Sequence, residues 1–355
     1  MFGTFRLALA FNVVAYHILG LPSIGPFAVY TFFILSGFLM TTIMQNTYGY
    51  RWSGLQKYAL NRFLRLYPIY WVLVIFTIVI VNYVGQDFAQ EFHKKMQLPN
   101  DIVAVIANLT MIYPDFNPVN FPTRLAPATW ALTIELFFYF FIGIGISRNK
   151  YLTIVWFSVS VIYILFDNIN SSSVRIGYGS ILTGSLPFSM GAMIYYFKEE
   201  IRRITSNHIS LITAMYITNL VFTCASGLLL PEQHWKINLL GTYLNLILSG
   251  CVIVILYYDG IKAIPKHIDQ KMGDLSYPVY VFHFSGACLA VWLLPGEPTR
   301  GLGVEGAAVF LVGSLITIFV SLVVNKHVNV QIEKIRNKIR ANSKSNVVNQ
   351  NKVIV

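Results

Sequence analysis

Charged side chains are scarce in this chain: Asp, Glu, Lys and Arg make up 12% of its 355 residues, about half the share of an ordinary soluble domain. That scarcity, with 55% apolar residues and a positive mean hydropathy, excludes a conventional soluble enzyme. Cysteine is nearly missing as well. Cys224, Cys251 and Cys288 are scattered through apolar runs without paired spacing, so neither a disulfide frame nor a zinc site follows and no metal is called for. No internal repeat is visible, which counts against transporters built from inverted halves.

What is present is a series of apolar runs near the roughly 20 residues that cross a bilayer. They fall at about 5–21, 27–45, 66–84, 127–147, 151–167, 176–197, 208–230, 237–258, 275–294 and 302–324, and so predict an all-α polytopic membrane bundle of ten spans. The loops test the count, because Lys and Arg concentrate on the cytoplasmic side. With the N-terminus inside, nineteen basic residues fall in cytoplasmic segments and six in outer loops: Lys94, Lys95, Arg124, Arg175, Lys236 and Arg300. Arg6 stands at the inner mouth of the first span. Both termini are therefore expected in the cytoplasm, in a multi-pass protein of the inner (plasma) membrane. The net charge of +11 then reflects attraction to the anionic inner leaflet of the lipid bilayer, with no nucleic acid needed.

A cleaved signal peptide is the rival reading of the N-terminus, but the first run continues into a second apolar segment after only "GLPSIG". Residues 1–340 read as one membrane domain, with no room for an appended soluble module, and 341–355 as a disordered cytoplasmic tail. The longest outer loop, about 85–126, contains "FNPVNFPTR"; its prolines predict an irregular segment able to cover an outward-facing cleft.

Four polar constellations interrupt the apolar pattern. In "FRLALAFNVVAYHILG", Arg6 and His17 are eleven positions apart, so they share a helix face with about 16 Å of axial separation. Ionisable residues inside spans mark reaction or transport paths, although a neutral histidine bonded to a neighbouring helix would look the same in sequence. Arg62 and Arg65, three apart at the inner mouth of the third span, offer forked donors that match phosphate oxygens; topogenic anchoring would also place arginines there. Glu135 lies about 12 Å into a span that enters from outside, with no cation nearby in sequence, so a histidine from another span is its expected partner. Ser276, Tyr280 and His283 fall at i, i+4 and i+7, one polar stripe that brings His283 to the expected depth of His17 and Glu135. Three titratable groups in one layer predict a proton-handling site. Ser36 and Gly37 read as small packing residues, not as a catalytic pair.

Taken in order, Arg6 with ten residues and then His17, "FFILSGFLM", "NRFLRLYPIYW", "WALTIELFFY" and "SYPVYVFH" resemble acyltransferase family 3, the acyltransferase-3 or O-antigen acetylase type, over nearly the whole chain. It departs from the family pattern at Gly3, Ala131 and Phe284-Ser285. The resemblance implies transfer of an acyl group, usually acetyl from cytoplasmic acetyl-CoA, to a hydroxyl of a surface or exported glycan. It also implies that His17 is essential, that Arg6 accompanies it, and that Arg62 and Arg65 belong to a cytoplasmic arginine motif. The expected mechanism has Arg6, Arg62 and Arg65 holding the phosphates of acyl-CoA. His17, oriented by Glu135 or another polar group, then acts as base or transient acyl acceptor, with Trp130, Ser276, Tyr280 and His283 supporting substrate or oxyanion. The competing readings are a proton-coupled transporter or glycan export protein, and an inactive scaffold.

Overall fold

The computed structural model describes residues 2–170, 179–296 and 299–351, so Arg175 lies outside the described residues. Thirteen α-helices follow one another: α1 Gly3–Leu19, α2 Ile24–Ile43, α3 Trp52–Val84, α4 Gln86–Phe92, α5 Ile102–Thr110, α6 Trp130–Ile144, α7 Lys150–Asn170, α8 Ile181–Thr205, α9 Ile209–Leu229, α10 His234–Tyr258, α11 Lys266–Leu293, α12 Val304–Val324 and α13 Val330–Asn351. No strand occurs among the described residues. Eight stretches in them are long and apolar enough to cross a bilayer. One, Ile181–Leu229, contains both α8 and α9, while α1 is a shorter apolar helix.

The order of layers follows from where polar and small residues sit. Helices α2 and α11 are buried along most of their length, whereas α3, α7 and α12 turn Ile75 and Val79, Val155 and Val159, and Leu311 and Leu315 outward. These pairs repeat every four residues, the mark of one apolar helix face offered to lipid. Inside the bundle hydroxyls pair across helices: Thr31 with Ser249 at 2.8 Å and Thr77 with Ser285 at 2.7 Å. Such pairs satisfy polar groups that have no water to bond.

Helix α1 is fastened at both ends. At its start, the Asp269 carboxylate of α11 accepts from the backbone N–H of Gly3 at 3.1 Å and of Thr4 at 2.8 Å. A carboxylate there answers the orphan donors and the positive end of the helix dipole. At its end, the Gly301 N–H donates to Ile18 O at 2.9 Å, tying the α11–α12 loop beside His17. The turn into α2 uses Gly20 at φ 71° and Ser23 at φ 66°; the strained serine is held by Asn238 Oδ1 at 2.6 Å.

Several expectations are refined. Helix α3 begins at Trp52, well before the apolar run at 66, so Arg62 and Arg65 ride on its polar extension; Pro68 lies inside it without ending it. The loop at 85–126 is partly ordered by α4 and α5. Its irregular remainder is gathered around the buried Arg124, which donates to the backbone oxygens of Pro118 at 2.9 Å, Val119 at 2.8 Å, Phe121 at 3.0 Å and Pro127 at 2.9 Å. Helix α13 folds back against α3 and the turn Met44–Tyr48 that follows α2, and its backbone runs through 341–351.

Candidate functional site

One face of the bundle gathers the start of α1, the first turns of α3 and α11, and α13; it is called the tail face below. The opposite, loop face gathers the end of α1, α4 and the α11–α12 loop. Arg6 belongs to the first and His17 to the second. His17 stands in the last turn of α1, nearer a helix end than the mid-membrane placement expected from sequence, and borders a loop-face cavity of about 660 Å³ with Phe88, Glu91, Phe92, Thr299 and Arg300. The Arg300 guanidinium lies 4.8 Å from the Phe92 ring centre.

His17 and His283 meet, as the stripe on α11 predicts. Their rings stack with centres 5.4 Å apart and planes 20° apart. His283 Nδ1 lies 2.8 Å from Tyr280 O, which requires the proton on Nδ1 and leaves the Nε2 lone pair free in the neutral ring. That Nε2 is buried without a hydrogen-bond partner among the described residues. Phe284 lies against both rings, and against His93 from the loop at 4.7 Å. His93 went unread in the sequence because nothing about an isolated loop histidine points toward a span.

Glu135 is elsewhere. Its Oε1 accepts from Ser36 Oγ at 2.5 Å, and its side chain borders two small tail-side cavities. One, of about 90 Å³, is lined by Arg6, Arg62, Arg65, Ser36 and Tyr139; the other, of about 60 Å³, by Arg6, Ser276, Tyr277 and Tyr280. Ser36 takes the place of the expected histidine partner, with Arg6, Arg62 and Arg65 lining the same cavity, and none of the described contacts joins Glu135 to His17. The two groups lie toward different ends of the bundle: Glu135 borders the cavities of Arg6, His17 borders the cavity at the far end of α1, and α6 sets Glu135 against Ser36 of α2. Ser36, read as packing, is the carboxylate's hydrogen-bond donor.

Around these cavities the remaining residues are positioned as follows. Tyr280 donates its hydroxyl to Ala128 O at 2.8 Å, Ser276 bonds Gly273 O at 2.8 Å within its own helix, and Trp130 is buried at the start of α6. Arg62 bonds Asn61 Oδ1 at 2.9 Å, and Arg65 reaches Glu333 of α13 at 3.3 Å and Asp274 of α11 at 3.8 Å. A chain of rings runs from the smaller Arg6–Glu135 cavity toward His17: Phe32 and Tyr280, both lining that cavity, have ring centres 6.1 Å apart, Tyr280 and His283 6.3 Å, and His283 stacks on His17.

The loop-face electrostatics carry a testable pH effect. Burial, with Arg300 and Arg124 nearby, pushes the His93 ring down to about 3, with His283 a weaker neighbour of the same sign. The folded protein therefore keeps this ring neutral where the unfolded chain takes up a proton, near a pKa of about 6.5. Stability is full above that value and falls as pH drops from about 6.5 toward 3, by at most about 2 kcal/mol at pH 5. In detergent, the melting temperature should fall on acidification from pH 7.5 to 5, and His93→Gln should remove part of that slope. An identical acid slope in the variant would show that His93 is not its source.

No curated relative and no solved structure matches the chain. A family profile described as an acyltransferase domain matches residues 3–326, which takes in every constellation above except the contacts from α13. Arg6, His17, Arg62 and Arg65 all fall within the matched residues, and this chain belongs to the acyltransferase-3 family of multi-pass membrane acyltransferases.

Proposed function

We propose that the protein transfers an acyl group, acetyl first among them, from cytoplasmic acyl-CoA to a hydroxyl of a surface or exported glycan such as O-antigen, capsule or exopolysaccharide. In this reading α1, α2, α3 and α6 to α12 are ten spans of the inner (plasma) membrane. The tail face is cytoplasmic, with both termini inside. The basic residues favour it: Arg62, Arg65 and the α13 cations lie on the tail face, while Arg124 and Arg300 stand with the loops.

The observation that carries the proposal is the vertical order along α1. Guanidiniums and small cavities lie at one end, an imidazole and a sugar-sized cavity at the other, and the separation of Arg6 from His17 is about 16 Å, the reach of an extended thiol arm. Arg62 and Arg65 hold the donor's phosphates, and the arm passes Arg6 and Glu135 and parts the Tyr280 and His283 rings. The acceptor hydroxyl enters from the loop-face cavity. His17 takes its proton while the hydroxyl oxygen attacks the thioester carbon; the C–S bond breaks, and the thiolate leaves and is protonated to CoA. The products are an O-acyl glycan and free CoA. The family match argues against the transporter alternative.

Inside-out vesicles given acetyl-CoA labelled in the acetyl group test the reading. Label should pass to a glycan fraction as an alkali-labile ester, and mass spectrometry of surface glycans from a deletion strain should lack one ester mass. Vesicles that release no CoA and label no glycan would refute it.

A further inference from the structure

The family match ends at residue 326, and the most deeply buried cation on the tail face comes after it. Arg336 of α13 is 2% exposed and heads the large side chains that the bundle buries completely. Placing a guanidinium there costs several kcal/mol unless its donors are met. Its Nε and Nη2 both donate to Asn61 Oδ1 at 3.3 Å, the same oxygen that accepts from Arg62 at 2.9 Å. Its Nη1 pairs with Glu333. Glu333 in turn bonds Arg65 at 3.3 Å and lies 3.9 Å from Arg340.

One carboxylate therefore serves three arginines, and one amide oxygen joins Arg336 to Arg62. The tail-face cluster as a whole has five guanidiniums, from Arg6, Arg62, Arg65, Arg336 and Arg340, against the three carboxyl groups of Glu135, Asp274 and Glu333. A cluster so short of anions is built to receive another one. Anchoring α13 would not need it, because an apolar side chain would fill the Arg336 site at lower cost.

We infer that α13 is a working part of the donor site: Glu333 is the resident counter-anion that a phosphate of the donor displaces from Arg65, and Arg336, through Asn61, is the positioning residue that holds Arg62 for that phosphate. This rests on the acyl-CoA reading above. The ligand class is a thioester donor bearing several phosphates. On binding, the phosphate takes the Arg65 contact and Glu333 stays with Arg336 and Arg340, so the cluster gains charge balance without moving a helix.

The test uses the full-length protein in lipid nanodiscs, with calorimetry of CoA binding and kinetics with acetyl-CoA and with S-acetylpantetheine, which has the thiol arm but no phosphates. Glu333→Gln should tighten CoA binding and lower KM for acetyl-CoA by about three- to tenfold, since the variant removes the competing charge. Arg336→Gln should weaken CoA binding about tenfold, with Arg336→Lys intermediate. For both positions kcat should stay within about twofold, and turnover of S-acetylpantetheine should not change. The exposed Arg203, replaced by Gln, is the control. If Arg336→Gln does not fold, Glu333→Gln decides alone. Unchanged or weakened CoA binding in Glu333→Gln, with Arg65→Gln losing it, overturns the role of α13 but leaves the donor reading intact. Wild-type protein that binds no CoA overturns both.

Discussion

Replacing His17 with alanine is expected to lower acyl transfer by about 10²- to 10⁴-fold, the range that a positioned acid–base group supplies, while CoA binding stays within about twofold of wild type. The split follows from geometry. His17 borders the loop-face cavity and touches none of the guanidiniums at the tail face, so under the proposed function its loss should remove the acid–base step and spare donor binding. The fold should survive, because the side chain borders a cavity and makes only ring contacts, with Tyr16, His283 and Phe284, whose own burial does not depend on a hydrogen bond from it. His283 is the built-in check on the assignment, since its free Nε2 belongs to the ring stacked on His17. Single-turnover measurements on His17→Gln and His283→Gln side by side decide between them. A His17 variant that keeps more than a tenth of the wild-type rate, beside an inactive His283 variant, would move the base one helix over.

The second large effect is structural. Gly37→Val should prevent the bundle from assembling, or destabilise it by about 3 kcal/mol or more, the upper end of what overpacking costs. A Cβ at Gly37 would lie 2.1 Å from Phe188 O, and one at Gly191, on the facing helix, 2.0 Å from Ile34 O. Both obstacles are backbone carbonyls, which cannot rotate away as a flexible side chain can. Helices α2 and α8 must therefore separate, and in a bilayer such close approach between small residues is a main source of helix association. Ser36, adjacent to Gly37, would shift with α2 and lose its 2.5 Å bond to Glu135. The yield of monodisperse protein and its thermal midpoint measure the effect. A variant with an unshifted midpoint would mean that the crossing is looser than this geometry.

The comparison of Ser36 with Arg336 shows what kind of signal sequence carries. Gly37 was legible as a contact residue because small side chains have one obvious use in an apolar helix. Ser36 beside it was not, because a hydroxyl that donates to another helix looks like any other small residue until the partner is placed. Arg336 is one of the nineteen basic residues of the cytoplasmic segments, and on charge alone that is where it belongs. Its burial depends on α13 turning back toward Asn61, 275 positions away, and no local pattern encodes that return. Glu135 was found by the cost of a carboxylate in an apolar span, but cost does not name a partner.

By itself the sequence determined the things that depend on one dimension: an all-helical membrane chain from the length and spacing of apolar runs, the family from motifs in fixed order, and the face shared by Arg6 and His17 from helical period. Tertiary structure alone decided which polar groups meet. It gave Glu135 to Ser36, brought His93 in from a loop, and returned α13 to the tail face. The physical reason is that helical period fixes a residue's spacing and facing only on its own helix. Rotation and neighbour order within the bundle come from close packing between helices, as at Gly37 and Gly191, whose contacts are distant in sequence.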